Sequence, residues 1–492
     1  MASASRTATA AGSSAPSSGT GRAAQAAIDA SARGPVLLFL VSAIAWLLIA
    51  SGLSLISSIQ LHRPSFLADC AWLTYGRSQA AGLNAAIYGW GFNASFVLVF
   101  WLMARLSQAT LRVPSVLIVA GLFWNVGVTL GVGGILAGDS TSVPWLEIPT
   151  YAAPLLFVAY ALIGAWAFVT FRTGRSGRIF ASQWYLLAAL FWFPWLYSVA
   201  QVVLFVEPSR GTSQSVIAAW YAHGVSSLWF TAVALAAIYY FLPKITGKTL
   251  RHYDLASLGF WTFLAFSAFA GTASLVGAPV PAWTTAVGVG ASLFLIVPVL
   301  IIGLNHFPTL AAGATALKTS TSLRFILIGI IAFTVSTLAW VVTSLQSVAV
   351  TTQFTLVGSA QTQAVLYGVF SMVAFGGIYF LAPRLAQREW PSLALIGAHF
   401  WSSTVGLVLC ILGLTLGGLA QGAALNDSAV SFSAIASTLS PYLFMNSLGV
   451  ILLAIGHLAF AVNVVRLVLQ SVLCGAPATD LFREAPSLEA AR

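Results

Sequence analysis

Histidine and cysteine side chains are the residues of this chain best suited to metal chemistry, and their spacing limits what they can bind. The 492 residues include six histidines and three cysteines. No two histidines lie three or four positions apart, so no single helix offers a histidine pair to a metal ion. The cysteines Cys70, Cys410 and Cys474 form no CxxC or CxxCH motif, which excludes a covalently attached c-type haem and a zinc ribbon.

Five of the histidines have ordinary structural interpretations. His62 and His252 fall in predicted loops, where contact with solvent is expected. His306 closes an apolar segment, a position typical of a helix-end cap. His399 and His457 lie within apolar segments, where interhelical hydrogen bonding is expected. The sixth, His223, is considered below with the motif that contains it.

The elements that position these side chains are predicted to be membrane-spanning helices. Hydrophobic residues make up 59% of the chain and charged residues 7%, whereas a soluble domain carries roughly 25% charged residues. Because so few charges cannot cover so apolar a chain with a polar surface, lipid must solvate most of it. Trp72, Tyr75, Trp145 and Trp390 lie near segment ends, which is typical of side chains at the membrane interface.

The apolar pattern predicts an all-α, polytopic protein with about twelve transmembrane helices. Residues 1–33, rich in Ala, Ser, Gly and Thr, are predicted to be a disordered cytoplasmic tail, residues 34–472 the transmembrane domain, and residues 473–492 a second cytoplasmic tail. Each apolar segment is near the ~20 residues that a bilayer requires. The predicted spans are 35–59, 82–104, 114–137, 149–171, 182–206, 215–242, 255–277, 281–305, 323–346, 358–383, 393–420 and 438–470.

Loop charges predict the orientation of these spans. Of the 21 Lys and Arg residues, all but Arg63, Arg77 and Arg210 fall on the side of the N-terminal tail. The positive-inside rule then predicts cytoplasmic termini in a bacterial-type inner membrane. Basic residues occur singly, so the net charge of +10 does not indicate nucleic-acid binding. No charged residue falls in the middle of a predicted span, which disfavours proton pumps and ion-coupled carriers.

Five stretches together resemble the catalytic subunit of the C-family haem-copper oxidases, the cbb3-type cytochrome c oxidases. They are WLTYGRSQAAGLNAAIYGWGFNA from Trp72, WYAHGVSSLWFTAVALAAIYYFLPK from Trp220, GGIYFLAPR ending at Arg384, HFWSSTVGLVLCILGLTLGGLAQG from His399 and SPYLFMNSLGVILLAIGHLAFAVNV from Ser440. Their order and spacing agree with the family from about residue 35 to residue 466. The resemblance implies the twelve-helix arrangement of oxidase subunit I, which agrees with the independent count of apolar segments.

The resemblance also implies cofactors and the ligands that they need. A low-spin haem b takes two axial imidazoles, a high-spin haem b takes one, and a copper ion takes three, one of them cross-linked to a tyrosine. Imidazole suits both metals because it is a neutral, strong nitrogen donor. The expected cofactors are therefore haem b and copper, and the expected ligand set is six histidines.

Most of those ligand positions carry other residues in this sequence. Carried over position by position, the family's pattern leaves one copper-ligand histidine, His223. The five substituted ligand positions are Gly82, Ala273, Ser274, Gln361 and Gln363. By this resemblance, the low-spin haem would take Gly82 and one of the two glutamines. The cross-linked tyrosine position is Ser267, and the glutamate of the family's proton path corresponds to Ala339.

His223 and the two glutamines retain alternative interpretations. His223 is either a remnant satisfied by a neighbouring group or a residual metal or ligand site. Gln361 and Gln363 lie two positions apart, so they are expected to point to different helix faces. Their amides either pair with adjacent helices or line a polar pocket for a small ligand or a quinone.

Three functions follow, in order of preference. The first is a cofactor-poor homologue of cytochrome c oxidase subunit I that acts as a structural, assembly or docking subunit of a respiratory complex. A c-type cytochrome is among its possible partner subunits. The second is an active terminal oxidase subunit, oxidising cytochrome c and reducing oxygen, with an unfamiliar ligand set. The third is a small-molecule or quinone carrier or receptor that reuses the emptied haem cavities.

Overall fold

Long helices account for nearly all of the computed structural model, which describes residues 18–173 and 179–473. Within those residues, twelve helices are long and apolar enough to cross a membrane. In chain order they are α1 Ser18–His62, α2 Tyr75–Ser107, α3 Pro114–Ala137, α4 Thr150–Arg172, α5 Ala181–Val206, α6 Thr212–Thr246, α7 Tyr253–Leu275, α8 Ala282–Ala312, α9 Thr321–Ser344, α10 Leu356–Ala386, α11 Leu393–Leu425 and α12 Phe432–Leu473. The predicted all-α class and the predicted number of spans are confirmed.

The first helix corrects one predicted boundary. It begins at Ser18, so residues 18–33, predicted as part of a disordered tail, are helical. Residues 1–17 and 474–492, which include Cys474 and most of the predicted C-terminal tail, lie outside the described residues. Pro35 lies inside this helix, although proline removes one backbone hydrogen bond at such a position. The extension therefore needs a stabilising contact from elsewhere in the protein.

A buried ion pair supplies that contact. The Asp29 carboxylate accepts hydrogen bonds from Nε and Nη2 of Arg105 at 2.9 and 2.8 Å, and from the Trp101 indole at 3.0 Å. The side chains of Arg105 and Asp29 are 10% and 5% exposed. A bidentate arginine–carboxylate pair fixes both distance and orientation. It therefore anchors the first turns of α1 to the end of α2.

Helices α2, α6 and α10 form the centre of the bundle, and the other nine pack around them. Each of the three central helices is almost entirely buried over its apolar length and contains a π-helical segment in its middle. These segments are Ala85–Gly91, Val225–Thr231 and Ala364–Ser371. Extra residues in a helical turn are frequent at functional sites. Each segment begins within three residues of a mapped ligand position: Gly82, His223 or Gln363.

Glycines allow α11 and α12 to pack at backbone distance. A Cβ atom on Gly406 would lie 2.7 Å from the backbone oxygen of Gly449, and one on Gly413 would lie 2.8 Å from that of Tyr442. In lipid no hydrophobic driving force brings helices together, so their association depends on close packing. Small residues at the contact allow that packing. The glycines of α11 therefore bring its backbone into direct contact with that of α12.

We expect Gly406→Ala to destabilise the protein by about 1–3 kcal/mol, because the new methyl group has no room against α12. The matched control is Gly397→Ala on the same helix, where an added Cβ meets no atom within 4 Å. Thermal unfolding of both variants in detergent measures the difference. Equal unfolding temperatures for the two variants would contradict the proposed packing.

Candidate functional site

A cavity of about 260 Å³ lies between α6, α7, α9 and the start of α10. The loops that follow odd-numbered helices lie on one side of the bundle, which we call the outer face. The cavity is in the half of the bundle nearer this face. Five of the mapped family positions contribute to its wall: His223, Ser267, Ala273, Ser274 and Gln361. Positions up to 138 residues apart in sequence therefore meet around one space, which we name the His223 cavity.

His223 is held in the cavity wall by contacts on three sides. Its ring lies 4.6 Å from the Trp340 ring, centroid to centroid. Its backbone oxygen accepts hydrogen bonds from the hydroxyls of Ser226 and Ser227 at 2.8 and 2.6 Å. On the α7 side, a Cβ at Gly271 would lie 2.7 Å from the His223 Cβ, so glycine permits this approach. The Trp340 ring therefore packs against the imidazole, whose Nε2 is buried without a hydrogen-bond partner among the described residues.

The end of α7 carries the substituted tyrosine and histidine-pair positions. Ser267 is 1% exposed, and its hydroxyl also has no partner among the described residues. Ala273 lies in a 3₁₀ turn, and its backbone oxygen accepts a hydrogen bond from Nε2 of Gln353 at 3.2 Å. The hydroxyl of Ser274 donates to the Gly271 oxygen at 2.8 Å. The Ser274 proton is therefore used within its own turn.

The two glutamines occupy different surroundings, as their spacing predicts. Gln361 lines the cavity and donates through Nε2 to the Thr343 hydroxyl at 2.6 Å, which links α10 to α9. Gln363 does not belong to the cavity wall, and its buried Oε1 has no partner among the described residues. Only Gln361 therefore presents an amide to the His223 cavity.

The donor set of the cavity does not fit a haem-copper centre. His223 carries the one imidazole among the lining residues, and the remaining polar groups are hydroxyls, amides and two indoles. Copper in such sites takes several nitrogen or sulfur ligands, and an amide oxygen is a weak substitute for imidazole on haem iron. The Gln361 amide is moreover hydrogen-bonded to α9. Iron and copper chemistry has no adequate set of ligands here.

The mapped low-spin haem position is closed by helix packing. Gly82 on α2 is buried, and a Cβ at this residue would lie 3.2 Å from the Leu53 Cβ and 3.3 Å from the Ser54 backbone nitrogen. Glycine offers no donor atom, and α1 packs so closely here that even a Cβ would be in tight contact. The residues present at this position do not fit an axial haem ligand.

Two further sequence-based expectations can be compared with the structure. Ala339 lies on the exposed face of α9, outside the cavity wall. Trp145 was expected at the membrane interface, but it is 8% exposed and lines the His223 cavity. Its backbone adopts a positive φ of 69°, and the loop residues around it are buried. Trp72, at 58% exposed, agrees with an interfacial position.

Two histidines make the interhelical hydrogen bonds predicted for them. Nδ1 of His399 on α11 lies 2.8 Å from the Tyr379 hydroxyl on α10. Nδ1 of His457 on α12 lies 2.7 Å from the Ser51 hydroxyl on α1. Both are structural contacts near the inner half of the bundle, and the predictions for these two residues are confirmed.

The predictions for the other three loop or helix-end histidines have different outcomes. His252 is exposed in a loop, as predicted. His62 instead ends α1 and lies 3.0 Å from the Ser447 hydroxyl on α12, so the predicted loop position is wrong, although the side chain is half-buried and keeps contact with solvent. His306 is buried inside α8 with its ring 4.6 Å from that of Tyr239, and it does not cap the helix. Helix α8 continues through the NHFP sequence, which the apolar pattern alone did not show.

A buried carboxylate that the sequence did not indicate lies at the outer face. Glu147, in the α3–α4 loop, is 8% exposed and accepts a hydrogen bond from Nδ2 of Asn84 at 2.7 Å. Burial raises the pKa of the Glu147 carboxyl to about 7, although the Asn84 hydrogen bond acts in the opposite direction. Beside it, the Tyr88 hydroxyl donates to the Trp145 oxygen at 2.8 Å and lies 2.5 Å from the Tyr221 hydroxyl. These hydrogen bonds connect the α3–α4 loop to α2, and through Tyr221 to α6.

The pKa of Glu147 predicts a pH-dependent stability. Because the folded protein holds this proton more tightly than the unfolded chain, stability falls as pH rises from about 4.5 to about 7, and is level above. The full difference is roughly 3 kcal/mol. We expect Glu147→Gln to remove this dependence and to raise the unfolding temperature at pH 8 relative to the parent.

Thermal unfolding in detergent between pH 5 and pH 8 measures the effect of Glu147→Gln. The control is Glu207→Gln, which changes an exposed glutamate near the end of α5. A parent protein that unfolds at the same temperature across this pH range would contradict the buried-carboxyl argument.

Known proteins provide the family context for this geometry. The family described as "Cytochrome C and Quinol oxidase polypeptide I" matches residues 34–452. The chain is 26% identical to the Cbb3-type cytochrome c oxidase subunit CcoN1 of Stutzerimonas stutzeri over 446 residues, covering 87% of this chain and 94% of the relative. It is also 26% identical to a cytochrome c oxidase subunit 1 homolog of Azorhizobium caulinodans over 448 residues, covering 87% and 81%.

A solved structure supports the same fold. A cryo-EM structure of a haem-copper terminal oxidase dimer matches with a TM-score of 0.68 at 15% sequence identity, covering 91% of this chain and 84% of that one. The helical bundle is therefore arranged as in haem-copper oxidase subunit I, and membership rests on the family match across most of the chain. The chain is a multi-pass membrane protein that belongs to the cytochrome c and quinol oxidase polypeptide I family.

Proposed function

We propose that this chain is a redox-inactive subunit I homologue that serves as a structural, assembly or docking subunit of a respiratory membrane complex. One observation carries the proposal: five mapped ligand or tyrosine positions line one cavity, and His223 is the single imidazole in its wall. The closed position at Gly82 supports the same conclusion for the low-spin haem. A retained fold without retained ligands favours a role that needs the shape of the subunit and not its electron transfer.

The proposed partners follow from the family, and the proposed orientation in the membrane follows from the distribution of Lys and Arg. Relatives named as oxidase subunits suggest that this chain also works beside other subunits, of which a c-type cytochrome is one candidate. The distribution of Lys and Arg favours cytoplasmic termini, so the outer face would lie on the periplasmic side of a bacterial inner membrane. A fluorescent-protein fusion after residue 492 is expected to fluoresce, and an alkaline phosphatase fusion there is expected to be inactive.

Cofactor content tests the loss of redox function. Pyridine haemochrome spectra and elemental analysis of the purified full chain are expected to give far less than one haem b and one copper per chain. The b-type cytochromes of the host membrane, measured before purification, show that haem b was supplied. One haem b per chain would overturn the proposal and favour the active-oxidase alternative.

Assembly provides a test that does not depend on cofactors. Deletion of the chain in its native host is expected to reduce the amount of the intact respiratory complex on native gels. Both the parent chain and His223→Leu are expected to restore it, since a docking role does not need the imidazole. Restoration by the parent but not by His223→Leu would contradict a purely structural role.

A further inference from the structure

We propose that the α6–α7 and α8–α9 loops bind the headgroup of an anionic phospholipid, whose acyl chains lie along the seam between α7 and α8. Both loops follow even-numbered helices, so they lie at the side of the bundle opposite to the outer face, which we call the inner face. The inference does not depend on the loss of haem and copper ligands and goes beyond the proposed function.

Basic side chains predominate in this part of the inner face. Within residues 244–254 and 311–324, the basic residues are Lys244, Lys248, Arg251, Lys318 and Arg324, and the acidic residue is Asp254. Lys248, Arg251 and Lys318 are exposed, and their side chains have no hydrogen-bond or ion-pair partner among the described residues. Phosphate groups suit such side chains, because Lys and Arg form charge-assisted hydrogen bonds with them.

Side chains of α8 fix the backbone of the α6–α7 loop. Nδ2 of Asn305 donates to the backbone oxygens of Arg251 and His252 at 3.0 and 2.7 Å. The Arg251 backbone N–H donates to the Thr309 hydroxyl at 3.0 Å, and the Asn305 amide oxygen accepts from the Tyr239 hydroxyl at 2.6 Å. The backbone of Arg251 is therefore held against α8 while its side chain stays exposed. A site arranged in advance loses less entropy when a ligand binds.

The α8–α9 loop adjoins the α6–α7 loop. A Cβ at Gly313, which follows α8, would lie 2.5 Å from the Cβ of Thr246, the last residue of α6. Farther along the α8–α9 loop, Arg324 donates through Nε and Nη2 to the backbone oxygens of Leu317 and Lys318 at 2.7 and 2.8 Å. The Arg324 guanidinium therefore fixes the backbone that carries the exposed Lys318 side chain.

An apolar surface lies below these loops, on the seam between α7 and α8. The two helices pack closely at Gly259, where a Cβ would lie 2.9 Å from Cγ2 of Ile301. Leu258 and Leu304 beside this contact are exposed, and Trp261 is 66% exposed. Trp261 lies about 12 Å along α7 from the first residue of that helix. Because the headgroup region is roughly 5–8 Å thick on each side of the bilayer, this depth belongs to acyl chains.

A phospholipid matches both features of the site. Basic pockets between membrane-crossing helices are suited to anionic headgroups, and here the charges lie at the ends of helices that are long and apolar enough to cross a membrane. A soluble phosphate compound would use the charges but not the exposed apolar seam. An acidic segment of a protein would leave the seam unused in the same way.

Titration of the full chain with single lipids tests the headgroup site. The purified chain is freed of lipid in dodecyl maltoside, and bound lipids are counted by native mass spectrometry. We expect one phosphatidylglycerol molecule to bind roughly tenfold more tightly than phosphatidylcholine. Lysine and arginine at 248 and 251 carry this preference, so Lys248→Gln combined with Arg251→Gln is expected to remove it.

The matched control is Arg112→Gln combined with Arg466→Gln, which removes two exposed basic side chains elsewhere near the inner face. This control is expected to retain the preference for phosphatidylglycerol. Equal weakening by the two double variants would overturn the site, because positive charge at any place would then suffice. Equal affinity of the parent for the two lipids would overturn it as well.

Brominated acyl chains test where the lipid lies, because bromine quenches the fluorescence of nearby indoles. Phosphatidylglycerol with brominated chains, added at one molecule per chain, is expected to lower the fluorescence of the parent. The decrease is expected to vanish in Trp261→Phe and to remain in Trp283→Phe, since Trp283 is 70% exposed but lies at the outer end of α8. A decrease that remains in Trp261→Phe would overturn the seam as the place of the acyl chains.

Soluble competitors distinguish a lipid from other anionic ligands. Glycerol 3-phosphate and an oligoglutamate peptide carry negative charge without acyl chains, and neither is expected to displace phosphatidylglycerol. Displacement by glycerol 3-phosphate would assign the loops to a soluble phosphate compound, and displacement by the peptide would assign them to an acidic protein segment. Either result would overturn the lipid site and leave the proposed function untouched, because none of these measurements depends on haem content.

Discussion

Replacing Asp29 by alanine is expected to destabilise the folded chain by about 3–5 kcal/mol, the largest effect predicted here for a residue remote from the His223 cavity. The substitution leaves the Arg105 guanidinium buried without its carboxylate and removes the acceptor of the Trp101 indole. A buried charge that loses its partner incurs the desolvation cost without the compensating attraction. Unfolding of the purified variant in detergent, followed by temperature or denaturant, measures the loss.

The matched control for Asp29→Ala is Asp69→Ala, which removes an exposed aspartate from the α1–α2 loop and is expected to change stability by less than about 0.5 kcal/mol. A second comparison replaces both members of the pair, as Asp29→Leu with Arg105→Met. Because the double variant leaves no unpaired charge, it is expected to be more stable than Asp29→Ala. A double variant less stable than the single one would contradict the ion-pair explanation.

The ion pair also explains why the sequence did not predict the start of α1. A stretch rich in alanine and serine with scattered charges is typical of a disordered tail, and nothing local to residues 18–33 indicates otherwise. The helix there is stabilised by Arg105, 76 residues away. A contact at that separation is a property of the folded bundle, so hydropathy correctly predicted the spans but not the start of α1.

The location of the cavity was more predictable than its surroundings. The motif around His223 and the substituted positions on α7 and α10 were identified from sequence, and the structure brings five of them to one wall. Trp145 and Glu147 were missed because they lie in a loop whose path depends on the positive φ of Trp145. A loop that folds over the bundle leaves no periodic signal in the sequence.

Three π-helical segments lie directly after mapped family positions. They follow Gly82, His223 and Gln363 on the three central helices, and in each case the segment shifts the register of the helix beyond the mapped position. π-Helical segments inside α-helices are frequent at functional sites. Their placement beside these three positions agrees with the shared fold of the family.

Restoring a histidine at the mapped low-spin position is the second large effect expected. Gly82→His is expected to destabilise the chain by about 3 kcal/mol or more, because the imidazole would collide with α1 and bury a polar ring without a partner. The added Cβ alone would lie 3.2 Å from that of Leu53. The variant is also expected to gain no haem b, measured by pyridine haemochrome, since neither Gln361 nor Gln363 offers an imidazole on α10.

Gly76→His on the same helix is the control, because a Cβ at Gly76 meets no atom within 4 Å. The two variants add the same side chain to α2 and differ in whether α1 occupies the space beside it. If Gly82→His were as stable as Gly76→His and bound haem b, α1 would have to move aside readily, and the haem site would be latent rather than closed. The expected contrast would attribute the misfit of a haem at this position to the packing of α1 against α2 as well as to the missing nitrogen donors.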